Sequence, residues 1–92
     1  MTKGVRNNTC VIIYHRVING EHKYFKEEYN DLRKGWRRFQ SILDKVLSNA
    51  RRWGWEWTDE EKWNYLKAYS LEGDQREGEI EVWYNEFPYY LE

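Results

Sequence analysis

Three side chains in the sequence are soft enough to hold a transition metal: Cys10, His15 and His22. A structural zinc wants four ligands in a closed tetrahedron. A hairpin over this stretch would put His15 and His22 diagonally on one face and Cys10 on the other. Two ligands do not close a site, so no metal and no cofactor is expected, and the plainer reading is two histidines packing against Tyr24. Nucleophilic chemistry is no better provided for. Ser41, Ser48 and Ser70 have no histidine near them in sequence, and there is no G-x-S-x-G, glycine-rich phosphate loop, H-E-x-x-H or C-x-x-C. Carboxylates are plentiful but none has a special spacing. The expectation is a protein that binds rather than catalyses; an acid–base pair assembled from distant carboxylates is the enzymatic alternative.

Charge is the more informative chemistry. Residues 33–52 carry Arg33, Lys34, Arg37, Arg38, Lys45, Arg51 and Arg52 against Asp44 alone, a local charge of +6. Residues 53–92 carry −8 and residues 1–32 carry +1, so a net charge of −1 conceals a strong polarity. At helical spacing the cations form a ridge able to neutralise several phosphates, with binding that falls steeply as salt rises. The same ridge also reads as the solvated face of an amphipathic helix. The overall pI of 6.1 argues against broad affinity for nucleic acid.

The acidic counterpart is Glu72, Asp74, Glu77, Glu79 and Glu81, with Trp83 two residues on. Acids on a loop and one strand face can imitate phosphate spacing and fill a basic groove. They can equally be edge protection, or meet the basic helix of a second copy in a homo-oligomer. Trp53, Trp55 and Trp57 recur at period two, which extended backbone places on one side. The helical stripe accounts for Trp53, and at least one of the other two is expected in the core. An exposed member beside Glu56 would be an interface anchor.

These groups need elements to position them. Residues 9–18 are rich in β-formers and run into Asn19-Gly20, the strongest short hairpin signal. A two-residue turn sets Ile18 opposite Glu21, Arg16 opposite Lys23 and Tyr14 opposite Phe25. From Tyr29 to Trp53 the apolar residues Tyr29, Leu32, Trp36, Phe39, Leu43, Val46, Ala50 and Trp53 alternate at three and four, which predicts one long helix. Ile42 and Leu47 widen the stripe, and Gly35 inside it, a poor helix former, is expected to mark close packing on the sheet. Asn30 is the expected N-cap and Gly54 the stop. Thr58 with Glu61 reads as a capping box, so residues 59–72 are expected as a short helix, with a strand as the alternative. Residues 78–85 alternate as a half-buried strand: Ile80, Val82 and Tyr84 on one face, Glu79, Glu81 and Trp83 on the other. The aromatic tail 87–91 is expected to dock on the body. The fold class is α+β: a hairpin, a long amphipathic helix, a short second helix or strand, and a C-terminal strand completing a small antiparallel sheet on the helix.

Ninety-two residues make one domain, 1–92. Seventeen aromatic residues are more than a core of this size hides easily, so some should serve as contact surface. The absence of an apolar run after Met1 and the single cysteine predict a reducing, cytoplasmic setting, and no segment approaches membrane-spanning length. In size, charge segregation and absent catalytic motifs the chain is similar to the small inhibitors that phages direct against host enzymes and nucleases. The leading expectation is an inhibitor that binds a protein partner with a basic groove, a nuclease or another nucleic-acid enzyme. It would use Glu72, Asp74, Glu77, Glu79, Glu81, Trp83, Trp55 and Trp57. The alternatives are nucleic-acid binding through the ridge Arg33, Lys34, Arg37, Arg38, Lys45, Arg51 and Arg52, and a homo-oligomeric structural subunit.

Overall fold

Asn19 and Gly20 take the positive φ values, 50° and 83°, that a tight hairpin turn demands. They join β1 (Val5–Ile18) to β2 (Glu21–Tyr29) in the expected register, with Ile18 opposite Glu21, Arg16 opposite Lys23 and Tyr14 opposite Phe25. The chain continues through α1 (Leu32–Trp53), β3 (Glu56–Trp57), β4 (Tyr65–Tyr69) and β5 (Gly78–Leu91). The computed structural model describes residues 5–58, 64–73 and 75–91, with 5–8 and 88–91 described as backbone. The result is an α+β fold: one long helix against a five-stranded antiparallel sheet of order β2-β1-β5-β4-β3. The sheet is larger than a hairpin plus one strand because residues 65–69 are strand, not helix. Ala68 and Leu66 bury there, opposite Ile80 and Val82, and pairing with β5 prevails over the local helical signal. The proposed capping box on Thr58 and Glu61 runs into residues outside those described. Thr58 itself is bonded to β4, its N–H donating to the Lys67 carbonyl at 2.9 Å.

The helix crosses the whole sheet, from the β2 edge to the β3 edge, and touches every strand. Its first turn is capped by Asp31, one residue later than expected. One carboxylate oxygen accepts from the Arg33 and Lys34 N–H groups at 2.9 and 3.2 Å. At the other end Trp55 N–H donates to the Ala50 carbonyl and Gly54 N–H to that of Arg51, the paired bonds of a Schellman close. The line the helix buries is Gly35, Phe39, Ile42, Val46 and Ala50. It is rotated from the expected stripe, leaving Leu32, Leu43 and Trp53 partly buried and Trp36 37% exposed. Gly35 is the reason. A Cβ there would fall on the Cys10 Sγ, so the missing side chain lets the helix press onto β1 with that face down and swings Trp36 to the flank. Trp36 packs instead against Phe39 and, edge-on, against the fully buried Tyr84 at 5.3 Å.

The core lies between helix and sheet: Cys10, Ile12 and Tyr14 from β1, Ile80, Val82 and Tyr84 from β5, Leu66 and Ala68 from β4, and Trp55. Burial pushes the Cys10 thiol above its ordinary range, so it is a packed, protonated neighbour of Tyr84. The tail does not fold back onto this core. Residues 87–91 extend β5, and their backbone pairs with Thr9 back to Val5. Beyond Cys10, where β2 stops, this pair continues alone as a two-stranded ribbon. It accounts for a long axis of 61 Å against 24 and 17 Å for the others. No helix among the described residues is long and apolar enough to cross a membrane.

Gly35→Ala should destabilise the fold by about 1–3 kcal/mol in urea titration, although alanine gains about 1 kcal/mol of helix propensity. Adding Cys10→Ala should recover part of that loss, because it removes the sulfur the new methyl strikes. A stabilising Gly35→Ala would contradict the close approach.

Candidate functional site

The sheet has one face under the helix, and no other helix or strand among the described residues covers its second face. On the open face the register sets side chains in cross-strand rows. Lys26, Ile13, Trp83 and Tyr65 form the central row. Tyr24, His15, Glu81 and Lys67 flank it on one side, followed by His22, Val17, Glu79 and Tyr69. Tyr24 is 62% exposed and Tyr69 37%, while Trp83 and Tyr65 are half-buried with their rings 5.7 Å apart. The expected placement of Glu79, Glu81 and Trp83 on a single outward face is therefore found. Both acids have partners there: Tyr65 donates its hydroxyl to Glu81 at 2.6 Å, and Lys67 pairs with Glu79 at 3.3 Å. Their charge is thus partly spent within the face.

Glu72 and Glu77 are exposed on the loop before β5, and Asp74 lies outside the described residues. The end of this loop is clamped to the hairpin turn. Asn19 N–H donates to the Glu77 carbonyl at 2.8 Å, and Glu77 N–H donates to the Asn19 side chain at 3.0 Å. Between them opens a cleft of about 560 Å³ whose lining includes Val17, Leu71, Glu72, Glu77 and Glu79. The acids at 72–79 thus gather at one end of the open face.

The tryptophans divide. Trp55, expected among the contact residues, is 3% exposed and belongs to the core. The closing turn of the helix aims it inward, Trp53 packs edge-on against it at 5.1 Å, and its Nε1 donates to the Arg76 carbonyl. Trp57 is half-buried at the β3 edge with the Arg51 guanidinium 5.6 Å above it. Arg76, to which the sequence reading assigned nothing, lies 4.4 Å over the Trp53 ring and holds the acidic loop to the helix end.

On the opposite side of the molecule the ridge is real. Arg33, Lys34, Arg37, Lys45, Arg51 and Arg52 are exposed, and none of them joins an ion pair among the described residues. Among the described residues no bridge links them to Glu72, Glu77, Glu79 or Glu81. Arg38 is the exception. It grips Glu27 of β2 with two bonds, 2.8 and 3.0 Å, and Tyr29 adds its hydroxyl to the same carboxylate at 2.8 Å. Hydrogen bonding from Arg38 holds the Glu27 carboxyl below its ordinary value of 4.5. The hairpin histidines stand diagonally, as the turn geometry requires, and their rings are 3.2 Å apart, Nε2 of His15 to Nδ1 of His22. Among the described residues no three metal-binding side chains gather. Cys10 is on the helix side, buried away from both histidines.

Several surface residues escaped the sequence reading. Tyr65, Lys67 and Tyr69 join the open face only if 65–69 is a strand, which the competing helical pattern obscured. Arg16 and Lys23 join the cationic side through a cross-strand pairing that the turn does predict. No protein-family model matches the chain, and neither curated proteins nor solved structures contain a match to it.

Because Glu27 is held ionised in the fold, its bond to Arg38 stabilises the protein fully above pH 4.5 and is lost as pH falls through the depressed value. Glu27→Gln should cost about 0.5–1 kcal/mol at neutral pH. That difference should shrink steadily below pH 4.5 when thermal unfolding is followed across a pH series.

Proposed function

We propose that this is a non-enzymatic binding protein, an inhibitor in the phage manner. It covers a basic groove on a nucleic-acid-handling protein with its open sheet face and the acidic loop beside it. The observation that carries the reading is the uncovered face itself. On it β2, β4 and β5 present Tyr24, Tyr65, Tyr69 and Trp83 with no second layer among the described residues, and Glu72, Glu77, Glu79 and Glu81 stand along one end. Aromatic rings at the centre and acids at the border are the arrangement of an anchor with electrostatic steering. The partial pairing of Glu79 and Glu81 with Lys67 and Tyr65 orients their carboxylates and leaves Glu72 and Glu77 as the freer charges.

A capture experiment from the native host tests this, with the native chain and a Glu79→Lys/Glu81→Lys variant run in parallel and the captured protein's activity assayed. The native chain should retrieve and inhibit a nucleic-acid-handling protein. The variant should fail at both, and Trp83→Ala should weaken the complex by about 2 kcal/mol or more. Retention by the charge-reversed variant, or retrieval of no such protein, overturns the reading.

A second reading is supported by the six ridge cations that have no carboxylate partner among the described residues. It makes the helix side a nucleic-acid contact. Anisotropy with single- and double-stranded oligonucleotides at two salt concentrations decides it: binding that drops steeply with salt and is lost in Arg33→Gln/Arg37→Gln supports it, and salt-insensitive or absent binding removes it.

A further inference from the structure

Between the middle of the helix and the hairpin lies a cleft of about 300 Å³ that shares Lys45 and Arg38 with the ridge and adds Arg16 and Lys23, which neither reading above uses. Arg16 and Lys23 enter it from the sheet and Lys45 from the helix, with the amide of Asn49 beside them. Its floor is apolar, made by Ile42, Val46 and the stacked Tyr14 and Phe25, whose rings are 4.6 Å apart. Arg38 also lines the cleft, but Glu27 already takes up its guanidinium in two bonds, and no lining residue is acidic. Arg16, Lys23 and Lys45 take part in no ion pair among the described residues.

The arrangement runs against what stability alone would select. Arg16 and Lys23 are directly opposed across the β1–β2 ladder, and like charges facing each other in a sheet are unfavourable. Near by, the same strand meets a helix cation correctly: Glu27 of β2 takes Arg38 in two bonds. Seven residues further along the helix, Lys45 lines the same cleft as Lys23 and Arg16, with no acid among the lining residues. Three converging cations over an apolar, partly aromatic floor lack one thing, a compact anion with several acceptor oxygens.

We propose that this cleft is a binding site for a phosphate group borne on an organic body, held by Arg16, Lys23 and Lys45. The guanidinium of Arg16 suits two phosphate oxygens at once, and the two ammonium groups add point charge from either side. The apolar floor takes the attached sugar or ring. A free nucleotide and a nucleotide within a strand both present that chemistry.

The test uses the full chain, with AMP and a short single-stranded oligonucleotide titrated separately by calorimetry, and five proteins: native, Lys23→Glu, Lys45→Gln, Arg37→Gln and Lys26→Gln, the last removing a cation from the open sheet face. The native protein should bind at least one ligand saturably. Lys23→Glu and Lys45→Gln should each weaken that binding by about tenfold or more, and Lys26→Gln should leave it within about twofold. Lys23→Glu should also raise the melting temperature by a few degrees, about what relief of one like-charge contact is worth, so lost binding cannot be mistaken for lost folding. AMP binding as tightly as the oligonucleotide assigns the site to free nucleotides; oligonucleotide binding alone assigns it to strands. Saturation by neither ligand overturns the proposal. So does binding that ignores Lys23→Glu and Lys45→Gln but disappears with Arg37→Gln, which would place the contact on the exposed ridge.

Discussion

The backbone ladder between β1 and β5 is the constraint on which the rest of the molecule depends. Fourteen residue pairs run along it, from Val5 opposite Leu91 to Ile18 opposite Gly78. Without it the chain would hold a hairpin on one side and a short pair of strands on the other, with no continuous surface for the helix to cross. With it, Ile12, Tyr14, Ile80, Val82 and Tyr84 form one floor, and the helix seats on that floor through its closest point, Gly35 against Cys10. The same ladder fixes which side chains face outward. Because pairing period and side-chain period are both two, Trp83, Glu81 and Glu79 emerge together.

Charge follows the layers. The helix layer carries cations to one side of the molecule, and the sheet's free face and its adjoining loop carry the acids. A neutral-on-average chain thus becomes a body with two unlike sides and a core of about one side chain's thickness between them. The two sides differ in how far their charge is already answered. Glu79 and Glu81 have local partners in Lys67 and Tyr65, whereas among the described residues only Arg38 of the helix cations has a carboxylate. The unanswered charge therefore lies mostly on the helix side, and the exposed aromatic area on the other.

Local signals of one kind were legible in the sequence. Asn19-Gly20 and its flanking β-formers set the hairpin and its register, the three–four spacing set the helix, and alternation from Gly78 set the face on which Glu79, Glu81 and Trp83 appear. What was not legible depended on partners distant in the chain. Residues 65–69 carry an ambiguous aromatic pattern, and only the neighbouring β5 decides for strand. Gly35 was legible as a point of close packing, but not that its partner is Cys10, whose position sets the rotation of the helix stripe. One of Trp55 and Trp57 was expected in the core, and only the direction of the turn at Gly54 decides for Trp55. Arg16 opposite Lys23 was predictable as a pairing, but its meaning needed Lys45, which lies far along the chain.

β5 comes last among the strands, yet it lies in the middle of the sheet, between β1 and β4. On the ribosome, the growing chain therefore makes every other strand before the one that unites them. Until Gly78 onward has emerged, β1 has an unpaired inner edge and the apolar underside of the helix has half a floor. Contacts that close across most of the chain's length form slowly, and open strand edges invite foreign pairing in the meantime. The long β1–β5 seam that makes the finished sheet continuous is also what delays its assembly until β5 has emerged.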